Sequence, residues 1–241
     1  MNGQKASQRI LLVKTGGTIK KITPLYEDFE DWFACHMGVA DFLQVDVFRH
    51  EVLPTPDSVA GIVVTGSAAM VSDQEDWSER TAAWLKAAVG TGIPVLGVCY
   101  GHQLLAHALG GRVGRNPRGR QIGTVRAELT QAGKNDTLLG HLPEAFHAQT
   151  SHVESVLELP LNATRLATSP RDDNFAIRFS ENAWGIQFHP EFSAPVMLEY
   201  IRHRADAIRG EGQDPDHLLA QVMDTPQARS TLRRFKTMVG L

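Results

Sequence analysis

Four short runs of apolar and β-branched residues, separated mostly by amphipathic stretches, constrain this chain more than any other feature. They are Ile10–Val13, Gln44–Phe48, Gly61–Thr65 and Pro94–Val98, each with the length of a strand rather than a helix. Helical patterns over Glu27–Met37 and Glu75–Val89 lie between them. That order predicts a parallel sheet covered on both faces. A chain of 241 residues with 42% hydrophobic content holds enough apolar material for such a core. Ser72, three residues before Glu75, predicts a capping box for the second helix, and Gly90 and Gly92 mark its end.

From about Arg112 the pattern changes to shorter strand candidates: Thr124–Leu129, Arg165–Thr168, Phe175–Phe179 and Trp184–Phe188. The last two flank the polar turn Ser180-Glu181-Asn182. These predict antiparallel strands added to the sheet. Helix returns over Pro195–Ile208, and after the stretch Gly210–Pro215 two short amphipathic helices close the chain. The second opens with Thr225 as cap and Pro226 as first residue. With no repeat or long linker, the organisation expected is one domain over residues 1–209 and a helical extension over 210–241.

Charge excludes some partners. The 24 basic and 27 acidic residues give a formal net charge of −3, so no strong field favours nucleic acid or an anionic membrane. The apolar run Ile10–Val13 is too short for a secretion signal and no segment reaches the length of a bilayer span, which predicts a cytoplasmic location. In that reducing setting a disulfide between Cys35 and Cys99 is the weaker reading. Cys35, in DWFACHMG, reads as a helix-packing residue, and Trp32 and Phe33 read as core.

Cys99 stands differently. Residues 95–103 read VLGVCYGHQ: an apolar strand, then G-x-C-x-G, then a helix over Gly101–Leu109 ending at Gly110-Gly111. Glycines two before and two after the cysteine allow a sharp elbow at the carboxyl edge of the sheet. The helix that follows aims its amides and positive dipole end at the sulfur, which favours thiolate, and the amide after the cysteine is free to bind an oxyanion. A thiolate nucleophile needs a base. WGIQFHPEFS, residues 184–193, puts His189 at a strand end with Pro190 blocking continuation. If the segment stays extended, positions i and i+2 share a side, so Glu191 can reach the imidazole, fix its tautomer and stabilise its charged form.

The pair GVCYGHQ and QFHPE, in this order and about ninety residues apart, resembles the class I glutamine amidotransferases over roughly residues 10–205. The resemblance implies a flavodoxin-like, doubly wound, mainly parallel α/β sheet with added antiparallel strands and a C-terminal helical appendage. It assigns Cys99 as nucleophile, His189 as general base and acid, and Glu191 as the group that orients it. Gly66, in VVTGS, matches the glycine whose amide joins that of Tyr100 in the oxyanion hole. Gln103 matches a substrate-binding glutamine, and Ser151 and His152, in QTSHVE, match a Ser-His segment that holds the glutamine backbone in relatives of the GMP synthase type. Tyr100 after the nucleophile also looks like that type. The activity implied is hydrolysis of glutamine, or another γ-glutamyl amide, through a thioester, with no metal or organic cofactor and with ammonia passed to a synthetase in trans. A γ-glutamyl peptidase would use the same nucleophile. A silent binding or regulatory module on the fold is disfavoured by the intact trio of residues.

Two departures belong beside this. Gly66-Ser67 stands where many relatives carry Gly-Gly, which implies a stiffer loop, and no phosphate-loop pattern follows the matched region. KTGGTI, residues 14–19, resembles the nucleophilic-threonine segment of bacterial-type asparaginases, but the His-Gly-Thr-Asp segment that chemistry requires is absent. KTGGTI therefore reads as a flexible Gly-Gly loop after the first strand.

Overall fold

The computed structural model describes residues 9–241, and the part of the N-terminal reading that falls on residues 1–8 lies outside them. The first half runs β1 (Ile10–Lys14), α1 (Thr23–Tyr26), α2 (Phe29–Met37), β2 (Leu43–Asp46), β3 (Gly61–Val64), α3 (Asp76–Gly90), β4 (Val95–Val98) and α4 (Tyr100–Ala108). The second runs β5 (Arg112–Arg115), β6 (Gln121–Leu129), α5 (Gln131–Lys134), β7 (Ala145–His152), β8 (Glu154–Glu158), β9 (Thr164–Ser169), β10 (Asp172–Ser180) and β11 (Ala183–Ile186). Helices α6 (Ala194–His203), α7 (Ala205–Gly210), α8 (Pro215–Ala220) and α9 (Pro226–Met238) complete it.

Among the described residues one sheet has the order β2-β1-β3-β4-β11-β10-β9-β6-β7, with β5 and β8 forming a separate ladder. The strands from β2 to β11 in that order pair in parallel, and the rest join antiparallel. The order 2-1-3-4 is that of flavodoxin-like sheets, so the alternation of strand and helix in the sequence did dictate the architecture. Within β1 the faces separate cleanly. Ile10 and Leu12 join an apolar cluster with α2, α6 and α9, while Leu11 and Val13 join another with α3 and α4. Each such fully buried side chain contributes roughly 1.5–3 kcal/mol, so neither face can stay uncovered. Residues 210–241 contribute Ala228, Leu232 and Phe235, all fully buried, to the first of these clusters.

Several local expectations change. The N-cap of α3 is Glu75, which makes no capping bond, and the Ser72 hydroxyl donates instead to Glu154, so the capping box does not form. The run expected to be strand through Phe48 leaves the sheet at Asp46 and turns into a 3₁₀ segment over Val47–Arg49. The helix expected over Pro195–Ile208 breaks at Arg204, which separates α6 from α7. Pro226 does open α9, but Thr225 makes no capping bond. Strands β5, β7 and β8 were not legible as apolar runs. In β7 the buried positions include Gln149, Thr150 and His152, a polar interior strand to which hydrophobic periodicity is blind.

Candidate active site

Cys99 joins β4 to α4 with φ 52 and ψ −101, a conformation that costs a non-glycine residue energy and persists only where the surroundings impose it. The flanking glycines do not make the turn. A Cβ on Gly101 would lie 2.5 Å from the carbonyl oxygen of Val64, and one on Gly97 would run into the Gly101 carbonyl. They let α4 pack directly onto the sheet beside Cys99, which itself takes the positive φ. Tyr100 is the first residue of α4, so its amide has no intrahelical partner. Its ring stacks on Trp77 with centroids 5.6 Å apart and its hydroxyl lies 2.6 Å from that of Ser78, which pins the residue after the cysteine.

The sheet order brings the distant half of the site to this elbow. Strand β11 lies beside β4, and the Cys99 amide donates to the Ile186 carbonyl at 2.9 Å. His189 follows three residues after β11, its backbone amide bonded to the Gln149 carbonyl at 2.8 Å. The extended reading of His-Pro-Glu is corrected here: the Phe192 amide donates to the His189 carbonyl at 3.3 Å, closing a turn with Pro190 after its first residue. It is this turn that brings Glu191 Oε1 to 2.6 Å from His189 Nδ1. The Cys99 sulfur acts on the same imidazole electrostatically, favouring its charged form. Phe192 stacks on it at 4.0 Å, and a Cβ on Gly66 would come 2.9 Å from its Cε1. Burial pushes the His189 pKa down, but the Glu191 carboxylate and Cys99 override that and lift it to about 10. A buried line of sulfur, imidazolium and carboxylate can attack an electrophilic carbon and protonate what leaves.

The line opens on a cleft. A cavity of about 220 Å³ is bounded by Ser67, Cys99, Gln103, Ser151, His152 and Arg120, among others. A second, of about 70 Å³, runs past Thr18, Phe29, His189 and Tyr200 and shares Ser67, Ala68, Ser151 and Arg204 with the first. Gln103 Nε2 donates to the Glu154 carbonyl at 2.8 Å and to Gln187 Oε1 at 3.0 Å. His152 Nδ1 donates to the same carbonyl at 2.7 Å, and burial drops its pKa to about 4, so it is neutral at pH 7. Glu154 also accepts from Ser72, tying the loop after Gly66 to β8. Cys99, Tyr100, Gln103, Ser151 and His152 thus line the larger cavity and Ser151 and His189 the smaller, while Glu191 and Gly66 line neither and lie against His189.

Arg120, Arg204, Glu154, Gln187 and Phe192 were not foreseen. Gln187 and Phe192 lie within the QFHPEF stretch and could have been read with it, whereas the arginines and Glu154 carry no local signal. Two other readings are corrected. KTGGTI is tethered rather than flexible, with Thr15 Oγ1 donating to the carbonyls of Thr65 and Gly66 at 3.0 Å each and Thr18 Oγ1 lying 2.8 Å from the Tyr200 hydroxyl. Cys35 is exposed. Helix α2 buries Phe29, Trp32, Phe33 and Met37, and Cys35, two residues past Phe33, falls on the opposite side.

The family model described as glutamine amidotransferase class-I matches residues 29–205. The chain is similar to γ-glutamyl peptidase 5 of Arabidopsis thaliana, 32% identical over 208 residues, covering 83% of this chain and 81% of that one. It is also similar to the glutamine-hydrolysing GMP synthase of Aeropyrum pernix, 38% identical over 141 residues and 58% of this chain; the match spans 25% of that synthase. A solved structure of a glutamine amidotransferase from Thermotoga maritima shares the fold, with a TM-score of 0.75 at 24% identity over 97% of this chain and 99% of that one.

Proposed function

This chain belongs to the class I glutamine amidotransferase family, and we propose that it hydrolyses γ-glutamyl amides, glutamine among them, through a thioester on Cys99. The observation that carries this is the buried line from Cys99 through His189 to Glu191, set on a strained elbow at the floor of a cleft. The sulfur attacks the side-chain amide carbon. The amides of Gly66 and Tyr100 hold the oxyanion, and His189 gives its proton to the departing nitrogen, breaking the C–N bond. The glutamyl thioester remains on Cys99. A water molecule then loses a proton to His189 and attacks the thioester, releasing glutamate and the sulfur. Glu191 orients the imidazole, and Gln103, Ser151 and His152 hold the substrate.

With glutamine the leaving group is ammonia, useful to a synthetase acting in trans; the likeness to part of a GMP synthase supports that reading. A second reading, γ-glutamyl peptidase, is favoured by the likeness to an Arabidopsis peptidase over about four fifths of both chains. Two free cysteines suit the reducing cytoplasm, where we place the activity. Among the described residues no helix is long and apolar enough to cross a membrane.

The test is ammonia and glutamate release from glutamine, alongside labelling by an electrophilic glutamine analogue read by mass spectrometry. Cys99→Ala removes both turnover and label, and Cys35→Ala keeps both. Ammonia release by Cys99→Ala near the parent rate, or a label on Cys35, overturns the assignment.

A further inference from the structure

The mechanism does not use the one charged side chain that lines both cavities. Arg204 stands at the break between α6 and α7 and lines both cavities. Its guanidinium lies over the Tyr200 ring, 4.7 Å from the centroid, and its Nη1 is buried with no hydrogen-bond partner. Burial pushes its pKa down, with Tyr200 and Cys99 countering, yet a guanidinium stays charged in proteins. A buried cationic donor without a partner is costly to maintain, and a carboxylate is the group its planar fork fits best. Arg120, the other guanidinium of the cleft, already has one: Glu211 holds its Nε and Nη2 at 2.8 and 3.0 Å. No carboxylate among the described residues pairs with Arg204.

Where Arg204 sits decides which carboxylate it meets. The smaller cavity contains His189 but neither Cys99 nor Gln103, and apart from His189 its cation is Arg204. His189 protonates the leaving nitrogen, so whatever is attached to that nitrogen extends into the cavity against His189. Ammonia puts nothing there, and as ammonium it would be repelled by the guanidinium. We propose that Arg204 binds a carboxylate carried by the leaving group, which makes γ-glutamyl amino acids and peptides the substrate class of this site. The inference rests on the Cys99 and His189 chemistry above. The amide C–N bond breaks, the amine of the departing amino acid takes the proton from His189 while its carboxylate stays on Arg204, and water then frees glutamate from the thioester.

The experiment compares kcat/KM of the full chain and of Arg204→Gln for γ-glutamyl-glycine, γ-glutamyl-glycinamide and glutamine. The first two differ in the leaving-group carboxylate alone. The parent enzyme should favour γ-glutamyl-glycine over the amide by about tenfold or more, and Arg204→Gln should erase that preference, chiefly through KM. Arg204→Lys, which keeps the charge without the fork, should restore part of it. Because each comparison is a ratio between substrates on one preparation, partial unfolding does not affect it. An equal loss on all three substrates overturns the proposal and points to the α-carboxylate they share. Equal use of γ-glutamyl-glycine and its amide by the parent overturns it too. If none of the three is cleaved and Cys99 takes no label, the failure lies in the underlying hydrolase reading.

Discussion

His152 lines the larger cavity of the cleft and His189 the smaller, and both are nearly inaccessible, 5% and 3% exposed. Burial pushes both imidazoles toward the neutral form. They nevertheless end in opposite states, one lifted to about 10 and the other lowered to about 4. The main difference is the acceptor at Nδ1, with the Cys99 sulfur adding to it at His189. His189 meets the Glu191 carboxylate at 2.6 Å, and His152 meets the Glu154 carbonyl at 2.7 Å. A carbonyl orients an imidazole without supplying charge, whereas a carboxylate orients it and stabilises its cation. One side of the cleft is thereby built to move protons, and the other to hold a substrate with a fixed, neutral donor pattern.

The largest effect should come from removing the proton-moving imidazole. His189→Asn should lower kcat for γ-glutamyl amide hydrolysis by roughly 10³-fold or more, the upper part of the range for general acid–base groups. An electrophilic glutamine analogue should still label Cys99, more slowly, because the strained elbow and the start of α4 are unchanged. Stopped-time turnover together with mass spectrometry reads both. Turnover within tenfold of the parent would mean that the two histidines do not differ in the way their partners indicate.

Next comes the charge alone. Glu191→Gln keeps an oxygen acceptor for Nδ1–H and removes the carboxylate, so it makes the His189 side resemble the His152 side. The imidazole pKa should fall from its raised position, and kcat should drop by about 10²-fold. An NMR titration of His189 beside a pH profile of kcat/KM checks this. An unmoved titration would show that the Glu191 charge is not what lifts the imidazole.

The two sides also differed in how far the sequence disclosed them. The elbow and the His-Pro-Glu segment were legible because their chemistry is local: strand, glycine, cysteine, helix, and then histidine and glutamate two residues apart. Even there the reason shifted, since Cys99 rather than its glycines takes the unusual φ, and a turn rather than an extended strand joins His189 to Glu191. The His152 side was hidden. Gln103, Gln149, His152, Glu154 and Ser155 are buried polar residues from α4, β7 and β8. They satisfy much of their bonding within that network, a pattern with no period to read. Arg204 is hidden for a related reason: its role depends on α6 ending where two cavities meet.

The smallest effect on turnover, and the sharpest probe of the quiet side, is Asp172→Asn. Asp172 lies behind His152, 2% exposed, accepting from Ser155 Oγ at 2.7 Å and the Asn174 amide at 2.8 Å, and it borders neither cavity of the cleft. Burial raises its pKa from 3.8 to about 6, the Ser155 and Asn174 hydrogen bonds opposing. Below pH 3.8 both folded and unfolded chains hold the proton, and the group contributes no pH dependence. Between 3.8 and 6 the unfolded chain has released a proton that the native state keeps, so stability falls as pH rises. Above 6 the penalty is complete, at most about 3 kcal/mol for a displacement of about two pH units. His152 acts in the opposite sense, withdrawing stability as pH falls from 6.5 toward 4 in both proteins; its Nε2 lies 4.0 Å from Asp172 Oδ2, and losing that carboxylate lowers the His152 pKa further, which adds to the rise of the variant's relative stability with pH. Asparagine also gives up one of the two acceptor oxygens, a cost that does not vary with pH. The stability of Asp172→Asn relative to the parent should therefore rise from pH 4 to pH 7, by a kilocalorie or more, with turnover at pH 7 within about threefold of the parent. Urea denaturation at pH 4, 5, 6 and 7 measures it. A difference that stays flat across that range would show that burial does not raise the Asp172 pKa.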